Sequence, residues 1–529
     1  MRNMKKNKIT IYETRLNEFR KKLKQEPALN FVKEIFSAFP SSEIYLVGGA
    51  VRDAAQGVGK QKDFDFIVRN VLAEDLEKFL SKRGEVVLVG RNFGVYKFIP
   101  TDFEMEEAID IALPRTEHSL GAGGGYRDFE VQSDPKMAVE DDLARRDFTV
   151  NAMALDLKKG KLVDPFHGLE DLEAKLLRAV RDPGERFKED YSRMLRALRF
   201  AAQFGFTIEG KTFLAIQDMI KNINDERQRG NKKERVVPYE TVAKELLKAF
   251  WQNPVRALDL YESSGALFEL MPEIFSLRGC PQPLNFHSEG DVWTHTKMAL
   301  ANLYSKKFKK QFGEEWPSAE VVMAVLFHDL GKPLTLKTPE RDGTDRIRFD
   351  GHDVAGAEAA EGICRRLKLD SLPEDSVLRV EPKRVKQMIE KHMLLVQGKI
   401  DEMRPGTIEK YFFNPNFPGA GLLQLTFADA LATIPEVGEP DLENFYAMIK
   451  RIDGLQSLVK EKNRLPKPIF GGDEIMKRFK LKPGPKVGEL IKILREAQLS
   501  GEVGAEDIPL KEKKNKGFEI LKRYLEDNK

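Results

Sequence analysis

The segment IYLVGGAVRDAAQGVGKQKDFDFIV, residues 44–68, decides the fold. Its first four residues are apolar, and they predict a short buried strand. The glycine pair Gly48-Gly49 ends that strand and is followed by a helix-forming segment that contains Arg52. A further apolar run predicts a second strand. The segment is therefore a strand–turn–helix–strand unit from a domain that mixes helices with a sheet.

The second predicted strand carries two acidic residues, Asp63 and Asp65, at alternate positions. This spacing places both carboxylates on one face of the strand, while Phe64 and Phe66 point into the core. Neighbouring carboxylates repel each other unless a cation lies between them. The preceding turn offers glycine backbone, a helix N-terminus and an arginine, which all suit phosphate oxygens. Together these features predict a nucleotidyl-transfer site that binds Mg²⁺ and a nucleoside triphosphate.

A third acidic residue, Asp110, lies in the apolar run AIDIAL and is predicted to neighbour Asp63 and Asp65 in the sheet. Three carboxylates on adjacent strands can hold the two divalent ions used in phosphoryl transfer. A solvent-facing position on an edge strand is the alternative for Asp110. Each element also has a simpler explanation when it is taken singly, because glycine pairs often form ordinary turns and Asp-x-Asp is often only solvated.

Length and composition indicate a multidomain protein of the cytoplasm. The chain has 529 residues, which is too long for one core, so three or four domains are expected. Its net charge is only +3, and its basic residues are gathered in patches that suit a phosphate backbone or a solvated helix face. Two cysteines, Cys280 and Cys364, argue against a disulfide framework or a thiolate zinc site. No run approaches membrane-spanning length, so no membrane partner is expected.

The distribution of periodic patterns predicts an α+β fold. We expect helix over residues 1–40, short strands and glycine turns over 43–157, and almost only helix after 172. The glycine-rich segment 117–128 is interpreted as a mobile loop near the site. The strands predicted beyond the first two are 85–90, 95–100, 108–113, 129–132 and 148–157.

Arginines follow the acidic strands in two segments. The first is EDDLARRDFTVNAMAL, residues 140–155, where Arg145 and Arg146 concentrate positive charge and Asn151 offers an amide for a sugar hydroxyl. The second is RFKEDYSRMLRALRFAAQFGF, residues 186–206, which is predicted to be one helix. The charged residues that lie on or beside one stripe of this helix are Glu189, Asp190, Arg193, Arg196 and Arg199. They could form a surface salt-bridge ladder, or a template in which carboxylate and guanidinium groups pair with the edge of a base.

The motifs GGAVRD, KDFDF, ALPRTE, EDDLARRDFTVNAMAL, DPFHGLEDL and EDYSRMLRALRFAA follow one another over residues 43–206. In order and spacing they resemble the class II tRNA nucleotidyltransferase/poly(A) polymerase family, and most closely its bacterial CCA-adding members that carry an HD domain. The resemblance implies a polymerase-β-like nucleotidyltransferase head, followed by helical regions. The implied domains are an N-terminal extension 1–40, the head 41–160, a neck and body 161–275, an HD domain 276–440 and a tRNA-binding tail 441–529.

The resemblance also implies roles for individual residues of the head. Asp63 and Asp65 would be Mg²⁺ ligands, while Asp190 and Arg193 would form the amino-acid template that separates CTP from ATP. One departure is Tyr191, where the family commonly has proline; this position only starts a helix, so no change in chemistry is expected. The residues implied to contact the incoming nucleotide are Gly49, Arg52, Arg146, Arg196 and Arg199.

A second site is indicated by histidines in the helical part of the chain. Imidazole and carboxylate groups, including the adjacent pair His328-Asp329, suit a divalent ion held between helices. The series resembles the HD metal-dependent phosphohydrolase signature over about residues 285–430. That resemblance implies an activated water attacking a phosphoester, with 2′-nucleotides and 2′,3′-cyclic phosphates as substrates. The implied ligands are His295, His328, Asp329 and Asp429, with His352 and His392 as possible ligands of a second metal.

The favoured hypothesis is untemplated addition of C, C and A to tRNA 3′ ends from CTP and ATP, with release of pyrophosphate. Two alternatives lie within the same family, namely a poly(A) polymerase and a specialist that adds only CC or only A. An alternative of another class is a phosphodiesterase whose head merely binds RNA. The basic tail segment 471–503 could contact tRNA or serve only in packing.

Overall fold

The computed structural model describes residues 2–58, 64–89, 95–101, 103, 108–119, 129–229, 231–397, 400–456, 468–504 and 508–528. The chain packs as two compact units, Met1–Leu270 and Met271–Lys529. The finer division into five domains remains a prediction. Among the described residues, no helix combines the length and the apolar character needed to cross a membrane.

The first unit contains a seven-stranded mixed sheet with the order β3-β4-β5-β2-β1-β8-β9. Among the described residues, six further strands form three two-stranded pairs, β6-β7, β10-β11 and β12-β13. The strands are β1 Glu43–Val47, β2 Asp65–Arg69, β3 Gly84–Val89, β4 Val95–Pro100, β5 Ile109–Ala112, β6 Arg115–Ser119, β7 Phe129–Ser133, β8 Ala154–Asp156, β9 Leu162–Val163, β10 Leu176–Leu177, β11 Thr207–Ile208, β12 Glu226–Arg229 and β13 Lys232–Arg235.

Helices cover this sheet and continue beyond it. On one face, Phe31 packs edge-on against Phe66 and Phe98, with ring centroids 5.7 and 5.2 Å apart. The helices of the first unit are α1 Arg2–Leu23, α2 Asn30–Ala38, α3 Gly49–Gln56, α4 Ala73–Ser81, α5 Val139–Ala144, α6 Gly168–Glu173, α7 Pro183–Glu189, α8 Ser192–Phe204, α9 Gly210–Met219, α10 Tyr239–Gln252, α11 Pro254–Ser263 and α12 Ala266–Leu270, with short 3-10 turns at Pro27–Leu29, Thr149–Asn151 and Ile220–Asn224.

The second unit is helical over its described residues. Its last three helices pack around their own apolar cluster, which includes Phe470, Leu490 and Leu521. The helices are α13 Val292–Asn302, α14 Lys306–Phe312, α15 Ala319–Phe327, α16 Lys332–Thr335, α17 Pro339–Asp342, α18 His352–Arg366, α19 Pro382–Lys391, α20 Leu394–Gln397, α21 Pro405–Ile408, α22 Gly419–Ala432, α23 Glu443–Gln456, α24 Gly472–Phe479, α25 Pro485–Leu499 and α26 Leu510–Asp527, with 3-10 turns at Pro272–Leu277 and Ile400–Glu402 and a π-helical turn at Glu409–Phe413.

Three local predictions were wrong. The segment 186–206 is two helices, because Asp190 takes an extended conformation (φ −154°, ψ 105°) that ends α7 and starts α8. The predicted strand 148–157 is reduced to β8, and its first residues instead form a 3-10 turn. Phe64 precedes β2 and is only half-buried, whereas Phe66 is in the core.

The glycine-rich loop predicted over residues 117–128 overlaps the end of β6. Residues 117–119 belong to β6, so the loop does not begin at 117 as predicted. Residues 120–128 lie outside the described part of the chain.

Candidate active sites

The turn after β1 has a backbone that glycine alone adopts readily. Gly48 has φ +73° and ψ −136°, and its N–H donates to the carbonyl of Met153. A Cβ placed on Gly48 would lie 2.8 Å from Arg146 Nη1 and 3.5 Å from Asp65 Oδ2. Gly49 then begins α3. The turn therefore brings a helix N-terminus, a guanidinium and a carboxylate to one place.

Backbone pairing sets the position of the acidic residues. Asp65 is opposite Val47 in the antiparallel β1-β2 pair and opposite Asp110 in the parallel β2-β5 pair. The predicted neighbourhood of Asp65 and Asp110 is therefore confirmed. Asp110 also accepts a hydrogen bond from Lys97 Nζ at 2.8 Å. Asp63, the other predicted neighbour, lies outside the described residues.

A chain of polar contacts runs from the turn to α8. Arg52, which is buried, donates from Nη1 to Asn151 Oδ1 at 2.6 Å, and its guanidinium lies 4.4 Å from the ring centre of Phe204. Asn151 Nδ2 in turn donates to Asp147 Oδ1 at 3.2 Å. The other oxygen of Asp147 accepts from Arg196 Nη2 at 2.6 Å. This chain, the Arg52–Arg196 relay, fixes the orientation of two of the predicted nucleotide-binding arginines.

The relay continues into α10 through Glu245. Arg199 Nε donates to Glu245 Oε2 at 2.5 Å, and Arg196 Nη1 lies 3.9 Å from Glu245 Oε1. Burial raises the pKa of Asp147, but the charge and hydrogen bonds of Arg196 outweigh burial and lower this pKa to about 2. Asp147 is therefore a carboxylate at neutral pH. Glu245 was not predicted as part of this region, because nothing in the sequence relates α10 to α8.

The predicted template residues lie at the junction of α7 and α8. Asp190 accepts a hydrogen bond from the N–H of Ser192, which helps to start α8. Arg193 donates to Glu189 Oε2 at 2.6 Å and to the carbonyl of Arg145 at 3.3 Å. Both side chains are thus held by local partners at the break that the sequence pattern did not predict.

In the second unit, four histidines and two aspartates converge between five helical elements. His295 Nε2 lies 2.9 Å from Asp429 Oδ1, and His328 Nε2 lies 3.2 Å from Asp329 Oδ2. A second group, within 4.8 Å, contains Asp329 with His352 and His392, whose Nε2 atoms are 3.3 Å apart. The structure therefore brings together all six residues that sequence analysis proposed as ligands: His295, His328, Asp329, His352, His392 and Asp429.

The four imidazoles are oriented alike. Three donate from Nδ1 to the carbonyl three residues earlier, as His328 does to Val325 at 2.8 Å. In His295, Nδ1 instead donates to Glu289 Oε1 at 2.8 Å. Each ring thus directs Nε2 into the cluster, and His328 Nε2 is buried without a hydrogen-bond partner among the described residues. Nε2 atoms gathered beside carboxylates fit a divalent metal, which binds an imidazole through its unprotonated nitrogen.

The pKa values of the residues in this metal-ligand cluster are shifted in different directions. Burial lowers the pKa of His295, but hydrogen bonds to Asp429 and Glu289 outweigh burial and raise this pKa to about 9. Burial also lowers the pKa of His392, and the nearby His328 adds to this effect, giving a pKa of about 4. Burial raises the pKa of Asp329, yet the cations around it hold that pKa well below its usual range.

A cavity of about 540 Å³ opens onto the cluster. Lys332, which is buried, lies 2.7 Å from Asp329 Oδ2 and donates to Gln282 Oε1. The residues that sequence analysis missed here are Lys332, Glu289 and, as a cavity residue, His287. The signal for Lys332 was its spacing of three residues from Asp329, across the turn between α15 and α16. Phe286, Arg346 and Phe349 also line the cavity.

Comparisons with known proteins agree with this architecture. Residues 44–178 match the family model for the poly A polymerase head domain, and residues 294–433 match the HD domain model. Both kinds of domain generally use divalent metal ions. Among solved structures, the chain resembles the CCA-adding enzyme of Bacillus stearothermophilus in complex with CTP, with a TM-score of 0.56, 20% identity, and coverage of 90% of this chain and 94% of that one.

A second solved structure is the Thermotoga maritima CCA-adding enzyme in complex with tRNA, with a TM-score of 0.54, 19% identity, and coverage of 95% and 96%. At these identities the likeness shows the fold. The multifunctional CCA protein of Nitrosomonas europaea is 34% identical over 339 residues, which are 64% of this chain and 72% of the relative. That of Halorhodospira halophila is 35% identical over 374 residues, or 70% and 78%. The chain therefore belongs to the family of multifunctional CCA proteins, with a polymerase-type head and an HD domain.

Proposed function

We propose that the first unit adds C, C and A to the 3′ end of tRNA, using CTP and ATP and releasing pyrophosphate. The observation that carries this proposal is the backbone register that sets Asp65 beside Asp110 and next to the Gly48 turn. Carboxylates and a phosphate-binding turn at the ends of neighbouring strands are what nucleotidyl transfer requires. The names of relatives at 34% identity refer to CCA, and two of the solved structural neighbours are complexes with CTP and with tRNA.

The roles proposed for the head residues are those that the family resemblance implies. Asp63 and Asp65, supported by Asp110, would hold Mg²⁺, which activates the attacking hydroxyl and neutralises the leaving pyrophosphate. Gly49 and Arg146 would bind the triphosphate through the α3 N-terminus and a guanidinium. Arg52, Arg196 and Arg199 would orient the nucleotide from the relay. Asp190 and Arg193 would pair with the base edge, and their present partners would be exchanged for the base.

The direct test uses tRNA that lacks its last three nucleotides, with labelled CTP and ATP supplied separately and together. We expect two C residues with CTP alone, and two C residues followed by one A with both nucleotides. Repeated incorporation of A alone would show a poly(A) polymerase. Incorporation that stops after CC, or that requires a CC-ending primer, would show a specialist.

Asp65→Asn tests the catalytic assignment. Loss of the carboxylate should reduce nucleotide addition at least a hundredfold, because the metal loses a ligand where charge develops. Hydrolysis of 2′,3′-cyclic AMP by the same preparation should be unchanged, and this activity also shows that the chain is folded. Addition within tenfold of the unmodified protein would contradict the assignment.

A second proposed activity is supported by the six-residue cluster of the second unit. We propose that the HD domain hydrolyses phosphoesters of nucleotides, with 2′-nucleotides and 2′,3′-cyclic phosphates as the substrate class. The bound metal would supply activated water. The cavity beside the cluster presents Lys332 and Arg346 for phosphate, and Phe286 and Phe349 for a base. A tRNA-processing protein of this kind would act in the cytoplasm.

Asp329→Asn is the matching test of the HD domain. Asp329 contributes to both metal-ligand groups, since its oxygens approach His328 on one side and His352 on the other. The substitution should abolish hydrolysis of 2′,3′-cyclic AMP and leave CCA addition unchanged. The assay is run with Mg²⁺, Mn²⁺, Ni²⁺ and Co²⁺ in turn. Undiminished hydrolysis by the variant would contradict the site, and absence of hydrolysis with every ion in the unmodified protein would contradict the activity.

A further inference from the structure

We infer that Glu289 is a positioning residue for the HD metal site: it holds His295 in the tautomer and orientation in which Nε2 can bind the metal. The inference rests on the proposed metal site of the second unit. Glu289 lies in the loop before α13 and is not among the six ligands that the family resemblance implies. Its side chain is only 1% exposed, and a buried carboxylate needs hydrogen-bond donors around it.

Both oxygens of Glu289 are committed to hydrogen bonds. Oε1 accepts from His295 Nδ1 at 2.8 Å and from His287 Nδ1 at 2.7 Å. Oε2 accepts from the N–H of Ile434 at 3.0 Å. Ile434 follows α22, the helix that carries Asp429. One carboxylate therefore connects the first histidine of the site to the chain segment behind the last aspartate.

His295 needs this partner more than the other ligands do. The other three histidines of the metal-ligand cluster donate from Nδ1 to a carbonyl three residues earlier, a contact that the local backbone supplies. His295 sits in the first turns of α13, and its Nδ1 donates to a side chain that the loop supplies. A carboxylate acceptor makes a stronger hydrogen bond than a carbonyl and raises the basicity of the opposite nitrogen.

The geometry of Glu289 supports a fixed carboxylate, because its side chain is buried and both of its oxygens accept hydrogen bonds. A missing group at this position would leave His295 Nδ1–H buried without an acceptor, and a neutral amide would be a weaker acceptor than the carboxylate. His295 could then rotate or change tautomer, and Nε2 would no longer be held toward the metal.

The test is Glu289→Gln in the full chain, because glutamine keeps the shape and removes the charge. Co²⁺ binding is measured by calorimetry, and the HD site is defined as the binding that disappears in Asp329→Asn. We expect the affinity of that site to fall about 10- to 100-fold, as for other residues that orient metal ligands. The kcat for hydrolysis at saturating Co²⁺ should fall less than the metal affinity.

Glu320→Gln is the matched control. Glu320 is also a largely buried glutamate of the second unit, and it accepts hydrogen bonds from Arg384 and from the N–H of Glu381. Its substitution should leave Co²⁺ affinity within twofold of the unmodified protein. Asp329-dependent binding that is equally strong in Glu289→Gln would overturn the inference. Absence of any Asp329-dependent binding in the unmodified protein would instead contradict the proposed metal site itself.

A measurement on the unmodified protein covers the case in which Glu289→Gln does not fold. Histidine ¹⁵N spectra of the protein loaded with Zn²⁺ should show His295 protonated at Nδ1, with a proton shifted downfield by the carboxylate. Assignment is made by comparison with a His295→Gln variant. A His295 ring bound to metal through Nδ1, or an Nδ1 proton that exchanges freely with solvent, would overturn the inference.

Discussion

The residue Gly48 shows how strictly the nucleotide turn is determined. Its positive φ with ψ −136° is a conformation that L side chains rarely adopt, and a Cβ would approach Arg146 Nη1 to 2.8 Å. A side chain at this position would therefore strain the backbone and also displace the Arg146 guanidinium. Sequence analysis predicted the turn from the glycine pair, because chain reversal before a helix leaves few other residue choices.

We expect Gly48→Ala to reduce kcat/KM for CTP incorporation at least tenfold, because Arg146 and the backbone beside Asp65 must both shift. Gly205→Ala is the control. Gly205 also has a positive φ of +67°, but nothing lies within 4 Å of its Cβ position. The control should lose some stability and keep its activity. Equal losses of activity in both variants would mean that general destabilisation explains the effect of Gly48→Ala.

At the scale of secondary-structure elements, the sequence predicted strands better than the junction of α7 and α8. The strands β3, β4, β5 and β7 appear close to their predicted bounds, because alternating and apolar runs leave little ambiguity. The helix 186–206 was mispredicted because its charged and apolar spacing continues through Asp190, while the break depends on local hydrogen bonds such as that from Ser192. Periodicity does not report such contacts.

The Arg52–Arg196 relay could not be predicted either, since it joins elements that are distant along the chain. Asp147 was seen only as part of a basic segment, yet it is the acceptor that links the 3-10 turn at Thr149–Asn151 to α8. Of the residues that the family resemblance implies, Arg52, Arg196 and Arg199 lie in this relay or its continuation, and their role in nucleotide binding stays a prediction. Their partners, Asn151, Asp147 and Glu245, came only from the three-dimensional structure.

The Arg52–Arg196 relay should make the stability of the first unit depend on pH in the acid range. The pKa of Asp147 in the folded protein is about 2, below its ordinary value of 3.8, so its ionised form stabilises the fold above about pH 4. This contribution is lost as the pH falls through 2. Asp147→Asn should lower the free energy of unfolding of the first unit by about 1–3 kcal/mol at pH 7, since Arg196 loses a charged acceptor.

The measurement compares denaturant unfolding of Asp147→Asn and the unmodified protein at pH 7 and at pH 2.5. The difference in stability should shrink at the lower pH, because Asp147 is then largely protonated in the unfolded chain and folding no longer gains the full stabilisation of the ionised carboxylate. A difference that is independent of pH would show that the carboxylate charge does not stabilise the relay.

On the scale of the whole molecule, two compact units each contain one candidate catalytic centre. The sequence separated these centres correctly, because the acidic strands precede the helical part that contains the histidines. The net charge of +3 is small for a protein that binds tRNA, so local basic groups must supply the contacts to phosphate.

Affinity for tRNA should therefore depend steeply on salt. We expect log K to fall linearly with log salt concentration, with a slope of roughly −0.7 to −0.9 for each phosphate neutralised. Binding is measured by fluorescence anisotropy between about 50 and 200 mM KCl, where six such contacts would weaken binding about a thousandfold. A slope near zero would indicate that recognition relies on shape and stacking rather than on charge.

The ladder between β1, β2 and β5 holds Asp65 through main-chain pairing, whereas Arg52, Arg196 and Arg199 are held by contacts with side chains. The proposed catalytic acid is thus positioned by the backbone, and the proposed nucleotide-selecting arginines are positioned by other side chains. Substitutions that alter side chains can retune which nucleotide is accepted without moving the acid that drives transfer. Laboratory evolution of this scaffold should consequently change its base preference far more readily than its reaction.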